Sequence, residues 1–229
     1  MSNREVHSDV LIIGGGPAGI TFCRKLKKLK PEMSIIMLRP EEHSMVYCAI
    51  PYALEGLIDH RKTFKRDELV TDTGTTLVRR AVKQVDLQAK RVVDETGDIY
   101  TANILFLATG ARNFVPPVQG ADAENVYTVK TQGDMERLFV AIDDGAKRAA
   151  LIGAGAIGIE QAQAYRTRGL DVYLVDIAPS PGKVSCPLKA PLYRHPRMRW
   201  ITLCRKTRNI AIRKCWSACK QNMLAITNH

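Results

Sequence analysis

The sequence lacks a long apolar run, a leader-like N-terminal segment and a regular spacing of cysteines. Its richest apolar run, residues 10–20, is too short and too rich in glycine to span a bilayer. Six cysteines at irregular intervals do not resemble the framework of a small secreted scaffold, so we expect free thiols in a reducing compartment. These absences predict a soluble cytoplasmic protein, and 229 residues suffice for one sizeable α/β domain or two small ones.

Acidic residues are also missing from residues 179–229, which contain eleven of the 34 Lys and Arg residues. The other 23 basic residues match the 23 Asp and Glu of residues 1–178, so this tail holds the whole formal charge of +11. We expect the tail to be poorly ordered, and its composition resembles translation in a shifted frame. Two alternatives stay open, namely nucleic-acid binding by the basic tail and zinc binding by its cysteines, which are Cys186, Cys204, Cys215 and Cys219.

A βαβ unit is predicted at the start of the chain. An apolar strand at residues 9–13, an amphipathic stretch at 20–29 and a second apolar strand at 34–38 form the pattern. The turn between the first strand and the helix reads GGGPAG and contains the GxGxxG spacing of a dinucleotide fingerprint. The first glycine permits a tight turn, the second admits a pyrophosphate, and the third lets helix and strand pack closely. An ordinary glycine-rich turn is the alternative. The three glycines are Gly14, Gly16 and Gly19.

The same pattern returns at residues 149–162, with fingerprint glycines Gly153, Gly155 and Gly158. Asp176 ends the following strand, 18 residues beyond Gly158. A carboxylate there can accept both hydroxyls of an adenosine ribose and would repel a 2′-phosphate, which favours NADH over NADPH.

The first unit has no such acid, because its second strand ends in Leu38-Arg39, although Glu41 and Glu42 follow closely. Two dinucleotide folds in one chain suggest two nucleotides that exchange electrons, so a flavin is the more plausible occupant of the first.

Residues 84–110 lie between the two units and predict a small β-meander with a turn at 95–98, followed by a buried strand that ends in ATG. The predicted fold class is therefore α/β, with two Rossmann-like three-layer units, both incomplete, and a small β-meander. The expected divisions are residues 1–114, 115–178 and 179–229.

One cysteine stands alone in the stretch HSMVYCAIPY, residues 43–52. Cys48 has no second cysteine close to it in the sequence, and Cys23 lies on the first predicted helix. A buried core cysteine is one interpretation, since Tyr47 and Ile50 flank it. A redox thiol is the other.

Three motifs resemble those of the flavoprotein disulfide reductases that have two dinucleotide-binding folds: GGGPAG, ILFLATGA at residues 104–111, and IGAGAIGIE at 152–160. The resemblance covers residues 8–178. The cysteine loop, from Ser44 through Cys48 and Pro51-Tyr52 to Gly56, is similar to the single-cysteine branch. That branch includes coenzyme A disulfide reductases, NADH oxidases and peroxidases, and NAD(P)H-dependent polysulfide or persulfide reductases.

The resemblance implies an oxidoreductase in which FAD passes electrons from NADH to Cys48, and from there to a disulfide, polysulfide, persulfide, peroxide or oxygen. It also implies a homodimer, whose dimer domain and third FAD motif are not found in this sequence. A catalytically inactive nucleotide-binding fragment is therefore the alternative function.

The resemblance also assigns roles to individual residues. Ser44 and Tyr52 would position Cys48, although turn and packing roles compete, and Glu160 would face the flavin and nicotinamide unless it is a solvated carboxylate near a helix start. Ala49 departs from the glycine that is frequent in the branch. No metal site is expected. The FAD residues would be Gly14, Gly16, Pro17, Ala18, Gly19, Val82, Thr109 and Gly110, and the NADH residues Gly153, Gly155, Gly158 and Asp176.

Two groups of basic residues could bind a phosphorylated thiol such as coenzyme A. Solvated surface positions are the alternative for most of them. They are Arg24, Lys25, Lys27, Lys28, Arg61, Lys62, Lys65 and Arg66.

Overall fold

The computed structural model of the chain describes residues 4–176 and two further strands, of which only the backbone is described. Short 3₁₀ helices lie at Tyr47–Ala49 and His60–Thr63. The strands and longer helices are, in chain order, β1 (Glu5–Ile13), α1 (Pro17–Leu29), β2 (Ile35–Leu38), β3 (Ser44–Met45), α2 (Ile50–Glu55), β4 (Phe64–Lys65), α3 (Glu68–Thr71), β5 (Thr76–Val78), β6 (Val82–Asp86), β7 (Arg91–Asp94), β8 (Ile99–Leu107), β9 (Val126–Thr128), α4 (Gln132–Asp143), β10 (Arg148–Ile152), α5 (Ala156–Thr167), β11 (Asp171–Asp176), β12 (Met198–Thr202) and β13 (Met223–Thr227).

The chain divides into two units. The first comprises Met1–Val46 and Phe64–Ala111, and the second comprises Tyr47–Thr63 and Arg112–His229. The residues around Cys48 group with the second unit, although the chain on both sides of them belongs to the first.

The first unit is built on a six-stranded sheet with the order β5-β2-β1-β8-β7-β6. Its central strands are apolar on both faces and buried throughout β2 and over the last four residues of β1, as expected for parallel strands covered on both sides. Ile13 is in register with Leu38 on β2 and with Leu107 on β8. The carboxyl ends of these three parallel strands therefore lie level, and the loops that follow them meet at one edge of the sheet.

The β-meander is present as β6, β7 and β8, which pair antiparallel in that order. The expected buried strand before ATG is only partly correct. Strand β8 ends at Leu107, before ATG, and Ile104 and Leu107 are 46% and 51% exposed. Its parallel pairing with β1 places β8 inside the sheet, but the described residues leave its second half incompletely covered.

The second unit contains a parallel five-stranded sheet with the order β12-β11-β10-β13-β9. Strands β12 and β13 fall within residues 179–229. The fold class of two Rossmann-like units and a small meander is confirmed.

No helix within the described ranges is long and apolar enough to cross a membrane.

Candidate functional site

The first fingerprint forms a tight turn that only glycine can make. Gly14 has a φ of 104°, and its amide donates to the Leu38 carbonyl at 2.9 Å. A Cβ atom at Gly14 would lie 2.2 Å from the Ala108 carbonyl oxygen, and one at Gly19 would lie 2.1 Å from the Gly14 carbonyl oxygen. The first glycine thus meets the loop after β8, and the third brings α1 against the turn.

The middle glycine of this turn has a different environment. A Cβ atom at Gly16 would meet no heavy atom within 4 Å, so the space above the turn is open. Gly16 precedes α1 without a side-chain cap, Pro17 and Ala18 follow it and are exposed, and the first turn of the helix contains no acidic residue. The first amides of α1 are therefore available to an anion such as a pyrophosphate.

The second fingerprint repeats this geometry. Gly153 also has a φ of 104°, and its amide donates to the Val175 carbonyl at 2.8 Å. A Cβ atom at Gly158 would lie 2.1 Å from the Gly153 carbonyl oxygen, whereas one at Gly155 would meet nothing within 4 Å. The alternative of an ordinary glycine-rich turn does not account for two turns with the same close contact and the same open position.

The two turns differ at the residue next to the carbonyl that accepts from the first glycine: Arg39 directly follows β2, and Asp176 is the last residue of β11. The paired hydrogen bonds place Leu38 and Val175 at equivalent positions, so Arg39 in the first unit corresponds to Asp176 in the second. Asp176 is half-buried, and its Oδ2 accepts a hydrogen bond from the Ala154 amide at 2.7 Å. Its carboxylate therefore lies beside the second turn, where the sequence predicts a ribose contact.

Arg39 is nearly fully buried at 2% exposure. Its stem lies over the first turn, because a Cβ atom at Gly15 would be 2.6 Å from Arg39 Cδ. Its guanidinium donates to the carbonyls of Glu41 and Glu42, both at 2.9 Å, and to Asp67 Oδ1 at 2.7 Å. A buried charge with a carboxylate partner and further acceptors satisfies the requirement for burying an ion.

Arg79 completes this cluster, because it also donates to Asp67 and to the carbonyls of Glu41 and Glu42. The position at the end of β2, where the sequence has no acid, is thus occupied by a buried arginine with its own acceptors. The loop at Glu41 and Glu42 supplies backbone carbonyls to two arginines.

Of the remaining residues predicted for FAD, Thr109 and Gly110 lie at the same edge and Val82 lies on the meander. The Ala108 amide donates to the Ile13 carbonyl at 2.8 Å and extends the β1–β8 pairing by one residue. Thr109 and Gly110 follow, both exposed, and Gly110 has a φ of 72°. Val82 begins β6 and packs, half-buried, against the core on one face of the sheet.

Cys48 is a free thiol and is exposed. It lies on the 3₁₀ helix that leads directly into α2. Cys23, in contrast, is fully buried, with its sulfur 3.0 Å from the Thr75 hydroxyl and 3.5 Å from the Thr73 hydroxyl. The interpretation of Cys48 as a buried core cysteine is therefore wrong, and that description belongs to Cys23.

The other residues predicted around Cys48 differ in exposure. Ser44 is buried on β3, and its hydroxyl has no hydrogen-bond partner within the part of the chain that the structure describes. Tyr52 is 45% exposed on α2, and Glu160 is exposed on α5. The ammonium of Lys130 lies 4.1 Å from the ring centroid of Tyr47, which precedes Cys48. A positive charge is thus present near the cysteine loop.

The basic residues considered for phosphate binding are mostly exposed surface groups, as the simpler alternative states. Arg61 is already paired with Asp59, and hydrogen bonds from Arg61 hold the pKa of the Asp59 carboxyl well below its usual range. Lys27 donates to the Pro31 carbonyl at 3.1 Å. The cysteines of the proposed zinc site lie outside the described residues, and within the described ranges no cluster of metal-ligating side chains occurs.

Sequence reasoning missed three polar clusters. One is the Arg39 and Asp67 pair described above, the second is a buried carboxylate at Asp94, and the third joins the end of α2 to α5. Only the second carries a local signal, because Asp94 begins the turn sequence DETGD, whose composition favours a side-chain hydrogen bond to the backbone.

Two glycine turns of equal geometry, each at the carboxyl ends of parallel strands, define a protein with two dinucleotide-binding folds. A family model described as pyridine nucleotide-disulphide oxidoreductase matches residues 8–190. The chain belongs to this family, and the match extends beyond residue 178, where we expected it to stop. The predicted FAD and NAD(H) cofactors are confirmed at the level of the family.

Curated relatives include NADH oxidases and CoA-dependent sulfur oxidoreductases. The chain is 36% identical over 184 residues to an NADH oxidase of Methanocaldococcus jannaschii, which covers 74% of this chain and 40% of the relative. It is 30% identical over 177 residues to a CoA-dependent NAD(P)H sulfur oxidoreductase of Pyrococcus abyssi, which covers 75% and 40%. The chain thus spans about two fifths of the length of these relatives.

Solved structures share the fold at lower identity. A NAD-dependent persulfide reductase from A. fulgidus superposes with a TM-score of 0.72 at 22% identity, over 97% of this chain and 40% of the other. A ferredoxin reductase from Rhodopseudomonas palustris superposes with a TM-score of 0.76 at 21% identity, over 96% and 58%.

Proposed function

We propose that the chain uses FAD at the first turn and NADH at the second to reduce a sulfur acceptor through Cys48. The observation that carries the proposal is the combination of two open turns of equal geometry with the exposed thiol of Cys48. The family membership and the names of the relatives support the same class of reaction.

The first turn would hold the FAD pyrophosphate at the amides that begin α1, above the open position at Gly16. Thr109 and Gly110 would border the cofactor from the loop after β8. The adenosine ribose would need acceptors other than a strand-end carboxylate, because Arg39 occupies that position. When bound, FAD would take a hydride from NADH and supply its two electrons to the thiol chemistry.

The second turn would hold NADH in the same manner, above Gly155. Asp176 would accept the ribose hydroxyls and disfavour a 2′-phosphate, since its carboxylate already lies against the turn at Ala154. Glu160 would stand on the exposed side of α5, beyond the turn.

Cys48 would act as the nucleophile toward a disulfide acceptor. Its thiolate attacks one sulfur, forms a mixed disulfide and releases the other half as a thiolate. Cleavage of the mixed disulfide would consume two electrons, regenerate the Cys48 thiolate and release the second half as a thiolate. Each NADH and one proton thus convert one disulfide into two thiols, and the exposure of Cys48 gives the acceptor access.

Sulfur compounds are the acceptors that we favour over oxygen and peroxide. Two of the relatives are named for sulfur, polysulfide or persulfide reduction with coenzyme A. A catalytically inactive nucleotide-binding chain is the second candidate, and the arginine at the ribose position of the first turn is the observation that favours it.

The test is the visible absorption spectrum of the purified full chain, before and after anaerobic NADH. A stoichiometric flavin spectrum that bleaches supports the proposal, and a colourless chain that takes up no added FAD contradicts it. Turnover with polysulfide or a coenzyme A disulfide is then compared with that of Cys48→Ser. This variant is expected to keep the flavin and its bleaching but to lose turnover by at least about 100-fold, because the covalent step has no nucleophile.

A further inference from the structure

The helix that follows Cys48 is buried against the second unit. Helix α2 packs on α5 and, to a smaller extent, on α4. Its side chains at Ile50, Ala53 and Leu54 are 0–2% exposed. Burying an isoleucine or leucine stabilises a fold by about 1.5–3 kcal/mol. Apolar packing therefore places α2, but apolar contacts alone do not select one rotation or one register.

Polar contacts at the end of α2 supply that selection. Glu55 Oε1 accepts hydrogen bonds from Gln163 Nε2 at 3.1 Å and from the Thr167 hydroxyl at 3.0 Å. Gln163 and Thr167 are four residues apart and so lie on the same face of α5. We name this three-residue contact the clasp.

Arg168, the residue that follows α5, makes a second connection to α2. Its Nε donates to the Leu54 carbonyl at 2.6 Å, which satisfies one of the carbonyls left free at the end of α2. Its guanidinium also lies 5.8 Å from the ring centroid of Phe139 on α4. The hydrogen bond from Arg168 and the two hydrogen bonds of the clasp act at the same end of α2, so three hydrogen bonds hold that end in place.

The opposite end of α5 is the second fingerprint turn. The helix begins at Ala156, immediately after Gly155, and its twelve residues extend about 18 Å. One helix thus joins the predicted NADH turn to α2, the helix that directly follows the 3₁₀ helix of Cys48.

We propose that Glu55 and Arg168 are positioning residues that hold the Cys48 helix on α5 and thereby fix the thiol in the second unit. The redox role of Cys48 rests on the proposed function, whereas the clasp can be tested without any cofactor. The position of the thiol is expected to depend on the hydrogen-bond acceptor at residue 55 and not on its charge, since both donors are neutral side chains.

The test is the alkylation rate of Cys48 in the full chain without nucleotide, followed by peptide-resolved mass spectrometry. Glu55→Ala is expected to raise the rate at least threefold, because the released helix exposes the thiol to more approach directions. Glu55→Gln is expected to restore the original rate, since its side-chain oxygen still accepts both hydrogen bonds. Glu136→Ala is the matched control, because it removes a similar Gln–Glu contact, Gln132 Nε2 to Glu136 Oε1 at 2.7 Å, within α4.

Far-UV circular dichroism of the same samples shows whether the second unit stays folded, and the buried thiol of Cys23 shows this for the first unit. Faster labelling of Cys48 in Glu55→Ala, with Cys23 protected and Glu55→Gln restored, supports the proposal. An unchanged Cys48 rate in a folded Glu55→Ala variant overturns it, as does a failure of Glu55→Gln to restore the rate. If Glu55→Ala exposes Cys23, Thr167→Val decides, since it removes one donor at nearly constant shape. An increased Cys48 rate in that variant supports the proposal, and an unchanged rate overturns it.

This outcome is independent of the proposed function. The rates can respond as expected in a chain whose Cys48→Ser variant retains full turnover, in which case the redox role fails and the positioning role stands. The converse result, loss of turnover in Cys48→Ser with no effect of the clasp, removes only the positioning role.

Discussion

At the scale of single residues, Arg39 and Asp176 show how two turns with the same backbone can differ in what they select. Asp176 accepts from the Ala154 amide at 2.7 Å, and its charge would face a nucleotide ribose. We expect Asp176→Ala to weaken NADH binding about tenfold or more and to reduce the preference for NADH over NADPH. Titration of the full chain with both nucleotides measures the change. Asp171→Asn, at the exposed start of the same strand, is the control, and equal losses in the two variants would contradict the assignment.

Gly15 illustrates a different constraint, which comes from a side chain and not from the backbone. A Cβ atom there would be 2.6 Å from Arg39 Cδ, and Arg39 cannot move away freely because Asp67 and two carbonyls hold its guanidinium. We expect Gly15→Ala to lower the free energy of unfolding by about 1–3 kcal/mol, as overpacking does. The cost should shrink in an Arg39→Ala background, where the clash is absent.

Urea unfolding of the two single variants and the double variant measures this coupling. Additive losses would show that the residues do not constrain each other. Gly16→Ala is the matched control, because its Cβ atom would meet nothing within 4 Å, and it should leave stability nearly unchanged while it obstructs the pyrophosphate position.

The sequence predicted the turn geometry that follows from local spacing, while the binding roles of the turn residues stay predictions. The fingerprint glycines and Asp176 lie where a strand, a turn and a helix are adjacent in the chain, so their geometry depends on few distant contacts. The partner of Arg39 could not be predicted, because Asp67 is 28 residues away and reaches it only through the fold. Ser44, Tyr52 and Glu160 stay predictions, since their roles depend on groups that lie beyond their immediate neighbours.

At the scale of elements, a buried carboxylate holds the turn between β7 and β8 of the meander. Asp94 is fully buried and accepts from the Thr96 amide and hydroxyl, the Asp98 amide and the Tyr100 hydroxyl, at 2.8–3.2 Å. Burial opposes its charge, but these hydrogen bonds outweigh burial and hold the pKa of Asp94 below its ordinary value. A lowered pKa stabilises the fold above the unfolded-state value of about 3.9.

We therefore expect this contribution to be lost as the pH falls from about 4 through the folded-state pKa of Asp94. Asp94→Asn should be less stable near neutral pH, and its stability should depend less steeply on pH below about 4. Denaturant unfolding at several pH values measures both effects. Asp86→Asn is the control, because Asp86 caps a similar turn but is exposed. The same acid dependence in Asp94→Asn and the unaltered chain would contradict the assignment.

Tyr100, which donates to Asp94, makes the stability of the same cluster depend on pH in the alkaline range. Burial and the charge of Asp94 raise the pKa of Tyr100 to about 12. Because the pKa is raised, the protonated Tyr100 stabilises the fold below the unfolded-state pKa of about 10. This stabilisation is lost as the pH rises from about 10 toward 12. Tyr100→Phe should cost about 1 kcal/mol at neutral pH, the value of one hydrogen bond, and should remove this alkaline loss. An unchanged alkaline loss in unfolding experiments on Tyr100→Phe would contradict it.

Elements were predicted where periodicity and turn composition agree, as for the meander and both βαβ units. Exposure was predicted less well, and β8 shows the reason. Its apolar run indicated burial, but a run of apolar residues states only that a strand can be covered and does not show what covers it. For α2 the contact with α5 was missed because it joins residues more than a hundred positions apart, with no signal in either segment.

At the scale of the whole molecule, the chain passes between its two units three times, at residues 46/47, 63/64 and 111/112. The sequence predicted a single passage near residue 114, because one fingerprint lies before that point in the chain and the other lies after it. The excursion of Tyr47–Thr63 into the second unit arises from apolar side chains of α2, whose partners on α4 and α5 come later in the chain. The composition of residues 47–63 does not indicate that this segment belongs to the second unit.

This connectivity predicts that the two parts stay together after one cut. Residues 112–125 form no regular helix or strand, so a protease site inserted after Gly120 should be accessible. Cleavage would leave α2 on the first fragment and α5 on the second. Because buried side chains, the clasp and Arg168 hold these helices together, the fragments should co-elute in gel filtration at micromolar concentration. They should separate only in denaturant. Separation in native buffer would show that α2 does not bind the second unit strongly enough to position Cys48.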